Sequence, residues 1–376
     1  FIGNKLQCAK VLDLSRLSGI VEYLPEELYI KVKACTPVSL IEETLEKNNQ
    51  QLAFEPIDFG YLKDSKPNKG TAAGQLSCNF SGSRRFKVGS LRDHILGFRG
   101  VNGKGDIIKS GGTVVKNVTG YDLSKLVTGS FGTLTALTEI TFKVLPKKDS
   151  VSTLVVYSED NKIIRNLFDQ LLSSSNEISG AVYIPVEPNK KNYTKSVEKI
   201  FKFNNLKSED PFLAVRIEGS KKSIDERIQD ISEELQTKKM KTSILDFYQS
   251  KLFWEKINNL ELFSGTKNNL LRAVIPTAKS LDLMQYLKNN FKYYIDWCGS
   301  LFWIEVLEAE SIQIKKIKEI IINLGGYLTI IKKSENLSSD IDLFTINDTR
   351  LSLSQKIKES FDPKKLLNPG KMYRGL

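Results

Sequence analysis

Apolar and polar residues alternate from Tyr29 to Ala34 (YIKVKA), the period of a strand with one face buried. Thr36-Pro37 follows as a cap and first turn, and Val38, Ile41 and Leu45 then recur at helical spacing. Asn48-Asn49 ends that helix, a strand is expected near Leu52 to Phe54, and Pro56 closes it. Two β-rich runs broken by glycine loops lead to a longer strand, Leu134 to Leu145. Leu137, Ile140, Phe142 and Val144 mark its inner face, with Ile140 one step out of phase. Pro146 and the polar stretch KKDS place a boundary near residue 150.

Beyond it the rhythm changes. Strand Val151 to Tyr157 precedes a helix carrying Ile163, Ile164, Leu167, Leu171 and Leu172. Strands near Ala181 to Ile184 and Phe212 to Ile217 come next, then a helix with Ile224, Ile228, Ile231 and Leu235. The order recurs: strand Leu270 to Ile275, helix Leu281 to Leu287, a strand near Tyr293, strand Leu301 to Leu307. A helix with Ile314, Ile317 and Ile321 ends at Gly325-Gly326, and strand Tyr327 to Ile331 closes the series. Split βαβ units of this kind build an antiparallel sheet with helices on one face. The Lys- and Asn-rich segment 189–210 reads as a surface loop, and a last helix, Leu351 to Ser360, leads into the tail FDPKKLLNPGKMYRGL.

A chain of 376 residues has room for two or three domains. No apolar run approaches the ~18 residues of a membrane span. The formal charge of +11 admits an anionic partner or scattered lysines, and the lysines are dispersed without interleaved aromatics, which argues against nucleic acid. Cys8, Cys35, Cys78 and Cys298 lie far apart and form no CxxC pair, so neither an iron–sulfur cluster nor a structural zinc is expected. The single histidine, His94, cannot make a multi-histidine metal site, and it is the one candidate for histidine proton transfer. It stands in a strand-like RDHILG and is read as structural; Arg92 and Asp93 beside it are read as a salt bridge or turn cap.

Glycine carries the chemistry. Gly111, Gly112, Gly120, Gly129 and Gly132 crowd one stretch, and GTAAGQLSCNFSGSRR (Gly70 to Arg85) repeats the device upstream. Without Cβ atoms, backbone N–H groups approach a ligand closely. Two such Gly/Ser/Thr/Asn-rich clamps, with no Walker lysine loop and no GxGxxG, point to a diphosphate-bearing cofactor held by main chain.

Several segments together resemble a known family: KNVTGYDLSKLVTGSFGTL (Lys116 to Leu134), SLRDHILG, GTAAGQLSCNFSG, LDLSRLSGIVEYLPEEL, IDWCG (Ile295 to Gly299) and FDPKKLLNPGKMY. The chain resembles flavoproteins of the vanillyl-alcohol oxidase type, and among them the E subunits of bacterial glycolate oxidases. The resemblance implies an α+β fold in three parts: a PCMH-type FAD-binding domain at 1–150, a ferredoxin-like antiparallel cap at 151–345, and a segment at 346–376 that returns to the first domain. It implies noncovalent FAD. Gly70, Thr71, Gly74, Asn79, Ser81 and Gly82 would line its diphosphate and ribityl region. Gly129, Gly132, Thr133 and Ile140 would lie along the adenine or flavin side, with Asn368 approaching the isoalloxazine. Lys116 and Asn117 stand as further cofactor contacts. The family's first pyrophosphate loop, of GGGSK type, is expected just before Phe1, and Cys35 stands where glycine is common in the family.

Oxidation of a 2-hydroxy acid needs a base beside the flavin, and many relatives use histidines that this chain lacks. No catalytic residue is assigned. The first reading is therefore an FAD-binding subunit that relays electrons or serves structurally. It would work with a sister flavin subunit of D type and an iron–sulfur subunit of F type. It would be cytoplasmic, not inserted in the membrane itself, and peripheral at the membrane's inner face through its partners. A second reading is a self-sufficient FAD-dependent 2-hydroxy-acid dehydrogenase, with Arg272 binding the substrate carboxylate and Tyr121 or Lys116 assisting the proton. A third is a binding module with no cofactor.

Overall fold

In a computed structural model of the chain, residues 2–376 are described apart from 9, 64–65, 114–119, 187–190, 204–205 and 238, and only the backbone of 191–195 is described. A five-stranded antiparallel sheet comes from β1 (Ile20–Leu24), β2 (Tyr29–Lys33), β3 (Ile95–Asn102), β4 (Ile107–Gly111) and β5 (Thr135–Lys143), in the spatial order β1-β2-β5-β3-β4. Alternation fixes its register. Ile30 faces Phe142 and Val32 faces Ile140, and all four are buried with the helix α1 (Val38–Glu46) residues Val38, Ile41 and Leu45. The phase shift on β5 has a local cause. Arg99 pairs with Glu139 but Gly100 pairs with Leu137, so Thr138 is an extra residue and the inner face steps by one.

The second sheet has eight strands: β6 (Ser150–Tyr157), β7 (Gly180–Ile184), β8 (Phe212–Gly219), β9 (Thr242–Leu245), β10 (Asn269–Val274), β11 (Lys292–Asp296), β12 (Leu301–Val306) and β13 (Tyr327–Lys332). Their order is β9-β6-β8-β7-β11-β12-β10-β13, all antiparallel. Each half therefore has the fourth-first-third-second order of a ferredoxin-like unit, and the two units join through their second strands, Ile295 opposite Tyr183. The expected tandem of split βαβ units is present.

Several elements differ from the sequence reading. The Thr36 hydroxyl does not cap α1. It donates to the Lys33 carbonyl at 2.7 Å and accepts the Gly19 N–H at 3.0 Å, and Pro37 takes the cap position. Leu52 to Phe54 is buried irregular chain, because the pairing with Leu145–Pro146 ends at Gln50–Gln51. RDHILG is not strand throughout: Leu91–His94 is a helical turn, and β3 starts at Ile95. Within 189–210 lies helix Lys191–Ile200, with Val197 and Phe201 buried and Phe201 against Phe253 at 4.8 Å. Strand β9 and helix Phe247–Asn258 were not foreseen. The strand is an edge that buries only Leu245, so its pattern looks polar.

The larger apolar core surrounds the eight-stranded sheet and also takes in Ile57, Leu62, Phe80 and Phe131 from the first half. The smaller one stays within residues 30–144. No helix among the described residues is long and apolar enough to cross a membrane.

Candidate functional site

Helix Ala72–Cys78 sits at the open side of the smaller core. Its cap Thr71 accepts the Gly74 N–H at 3.2 Å, and it ends at Asn79 in left-handed conformation, φ 53°. Two cavities of about 500 Å³ each flank it and share Ala73, Ser77, Gly132 and Asn368. One is lined by the N-terminal strap (Leu6, Val11, Leu12, Leu14) with Ala34, Cys35 and Leu137. The other is lined by Phe59, Lys63, Asn68, Lys69, Gly70, Thr71, Gly74, Cys78 and Lys371. Together they form a largely apolar groove with lysines at both ends, Lys10 in the first cavity and Lys63, Lys69 and Lys371 in the second, in the size range of cofactor sites.

The opposite wall is the C-terminal tail. Asn368 donates to the Phe131 carbonyl at 2.8 Å, and a Cβ on Gly132, φ 68°, would stand 2.7 Å from the Asn368 amide nitrogen. Lys358 fixes the tail by donating to the carbonyls of Thr133 (2.7 Å) and Leu367 (2.8 Å) and to Asp362 (2.6 Å). The strap joins in through Asn4, whose backbone N–H donates to Lys371 at 2.9 Å. Gly70 has φ 70°, with no atom of the described residues within 4 Å of where a Cβ would be. Its N–H donates to Asn68 Oδ1 at 2.8 Å and its carbonyl accepts from Val38, so what Gly70 leaves open at the groove is the space a side chain would fill.

Of the expected cofactor residues, Gly70, Thr71, Gly74, Gly132 and Asn368 meet here. Gly129 and Asn79 pack against each other behind the helix, and Gly129 with Thr133 lines a separate cavity of about 170 Å³. The Thr133 hydroxyl donates to Ser130 at 2.7 Å. Ser81 is buried and accepts the Leu91 N–H at 2.9 Å. Gly82 packs against Glu55 and Asn258. Ile140 takes a different place from that expected: it is fully buried in the sheet core, facing β2. Lys116 and Asn117 lie outside the described residues. Cys35 keeps a negative φ, so the usual glycine is not needed there.

Arg272 is buried between aromatic rings, 4.9 Å from the Trp297 ring and 5.2 Å from that of Phe80. Its Nε has no hydrogen-bond partner among the described residues, and burial brings its pKa down to about 10. Asp296 nearby accepts from Ser83 Oγ at 2.8 Å and Trp297 N at 2.6 Å, and burial raises its pKa to about 7. Trp297, Cys298 and Gly299 follow with φ of 49°, 52° and 96°. Such a conformation costs about 1–2 kcal/mol for each non-glycine residue. Tyr121 is 93% exposed and points into water. His94 is buried on Phe54, its Nε2 donates to the Val88 carbonyl at 3.0 Å, and burial lowers its pKa, leaving it neutral.

A buried ion network between the halves escaped sequence reading. Arg216 binds Glu55 through two nitrogens (2.7 and 3.1 Å), and Arg84 binds Glu218 likewise (2.6 and 3.0 Å). Burial pushes both carboxylates up, but the two arginines outweigh it, holding Glu55 below its usual range and Glu218 at about 2. The partners lie far apart in sequence, so no spacing reveals them. An unusual arginine amid strand Phe212–Gly219 was the one available signal.

The comparisons with known proteins agree with this geometry. A family model described as FAD binding domain matches residues 2–111, and one described as FAD linked oxidases, C-terminal domain, matches 344–372. Among solved structures, an alkyldihydroxyacetonephosphate synthase superposes with a TM-score of 0.63 at 17% identity, over 95% of this chain and 66% of that one. A 4-ethylphenol oxidase from Gulosibacter chungangensis does so with 0.66 at 13% identity, over 95% and 79%. The architecture is therefore the α+β fold of PCMH-type FAD oxidases. The chain is 30% identical to "Glycolate oxidase subunit GlcE" of Escherichia coli (strain K12), over all of this chain and 90% of that protein. It is 25% identical to "Glycolate oxidase subunit GlcD" of Bacillus subtilis (strain 168), over 96% and 79%. The chain belongs to the glycolate oxidase subunit family of FAD-dependent oxidoreductases, with FAD as its cofactor.

Proposed function

We propose that this chain is the FAD-carrying, E-type subunit of a complex that oxidises glycolate to glyoxylate, and that it relays electrons or supports the complex rather than performing the main oxidation. The observation that carries this reading is His94. The only histidine of the chain is buried behind Phe54 and lines neither cavity of the groove, so it is not placed to take a proton from a substrate there. Glycolate oxidation then falls to a sister flavin subunit, and an iron–sulfur subunit carries electrons onward. The complex works in the cytoplasm, at the inner face of the membrane.

Residues 1–150 form the cofactor domain, 151–345 the cap, and 346–376 the segment that returns to the groove. When bound, noncovalent FAD supplies the two-electron chemistry. The Gly70–Gly74 turn, where no side chain intrudes, would flank its phosphates, with Lys371 at the same cavity supplying positive charge. Gly132 and Asn368 form the wall that the two cavities share, and Leu6, Val11, Leu12 and Leu14 of the strap offer apolar surface against which a ring would pack.

The test is a visible absorption spectrum of the purified chain before and after anaerobic glycolate, alone and with its sister subunit. A flavin band that persists alone and bleaches only in the complex is expected. Bleaching of the isolated chain would overturn the division of labour, and absence of any flavin would overturn the cofactor role.

A further inference from the structure

From the geometry we infer that Trp297, in the second sheet, is a positioning residue for the cofactor groove in the first half. This rests on the reading of the groove given above. The indole is held from several sides. Its Nε1 donates to the Gly82 carbonyl at 2.9 Å, and the guanidinium carbons of Arg85 and Arg272 lie 4.3 and 4.9 Å from its ring. The backbone that presents it is in left-handed conformation at two successive non-glycine residues, Trp297 and Cys298. Asp296 holds the Trp297 N–H at 2.6 Å, Ser300 Oγ donates to the Trp297 carbonyl at 3.1 Å, and the Cys298 thiol lies 3.5 Å from the Phe168 carbonyl. Strain that the surroundings over-determine in this way marks a position whose geometry matters.

What the turn positions can be followed atom by atom. Arg272, stacked on Trp297, also lies 5.2 Å from the Phe80 ring. Phe80 meets Phe59 edge-on at 5.2 Å, and Phe59 lines the cationic cavity. Phe80 also directly follows Asn79, the left-handed end of the helix that floors the groove. Trp297 thus grips both ends of a short segment: the Gly82 carbonyl directly, and Phe80 through Arg272. A contact of one indole sets where the groove's inner wall stands, and it ties that wall to the eight-stranded sheet.

The experiment compares FAD affinity with stability in the full chain. FAD dissociation constants come from flavin fluorescence titration, and melting temperatures are taken on the same samples. Trp297→Leu, losing both ring and N–H, is expected to weaken FAD about tenfold, and Trp297→Phe, which keeps a ring, about threefold. Arg85→Met, which strips one face of the stack, covers the case in which the leucine variant does not fold. Ile317→Ala, a core change in the same half, serves as control: it lowers the melting temperature and leaves FAD affinity alone. Trp297 and Arg85 variants that behave like Ile317→Ala, less stable with wild-type affinity, would overturn the inference. A wild-type chain that takes up no FAD would overturn the functional reading, and this inference with it.

Discussion

The two sheets solve different problems. The eight-stranded half buries a large continuous core and admits charge in bonded groups, such as Arg216 with Glu55, or between aromatic rings, as at Arg272. The five-stranded half stops short. Its core ends at helix Ala72–Cys78, and beyond that the chain offers glycines, a strap and a tail around open space. Stability thus concentrates in one half and ligand space in the other. The ion network and the Trp297 turn tie the two together.

The strongest way to break this contrast is at the network. Glu55→Ala leaves Arg216 charged and buried, and should cost about 3–5 kcal/mol of stability, read by denaturant unfolding. A loss within that of ordinary surface changes would mean that the halves are not held by this pair.

Asp296→Asn acts in the opposite direction. Its carboxyl has a native pKa of about 7 against an ordinary value of 3.8, so folding keeps it protonated where the unfolded chain ionises. Stability falls as pH rises from 3.8 to about 7, and the full penalty persists above that. The substitution should therefore stabilise by on the order of 4 kcal/mol at pH 8 and have no such effect near pH 3.5. Equal effects at both pH values would refute the assignment.

Gly70→Ala sharpens the other side of the comparison. No atom obstructs the new methyl, so backbone strain alone should cost about 1 kcal/mol. FAD affinity should fall by more than that strain accounts for, because the methyl enters the ligand's space. Smaller still, His94→Gln should remove an acid-sensitive component of stability. The native pKa lies below the ordinary 6.5, so wild-type stability is present above 6.5 and lost as pH falls. Activity of the complex should survive the change, and its loss would restore His94 as a base.

The sequence made the repeated units legible because each strand of the second half is apolar on a short period and each helix carries Ile or Leu at helical spacing. Ile224, Ile228, Ile231 and Leu235 read directly as one buried face, and they are buried. The glycine clamps were legible for a similar reason: Gly70 and Gly132 do take positive φ. Local pattern failed where partners are remote or composition is misleading. Phe201 hides among lysines and asparagines and is ordered by Phe212 and Phe253. Ile140 reads as inner face one step out of phase, and the Thr138 bulge accounts for that step; the resemblance alone set it beside the cofactor. Lys358 reads as one more surface lysine, and only the tail's return buries it against Thr133 and Leu367.

That buried lysine has a consequence in time. The groove's floor and one wall lie within the first half, but the facing wall is Leu366 to Lys371, held in place through Lys358 and Asn368. On the ribosome the first sheet can fold long before those residues emerge. A nascent chain then carries a half-built, partly apolar trough with no lid on one side. Firm capture of the cofactor must wait until synthesis has passed the tail, which makes loading a step that follows translation.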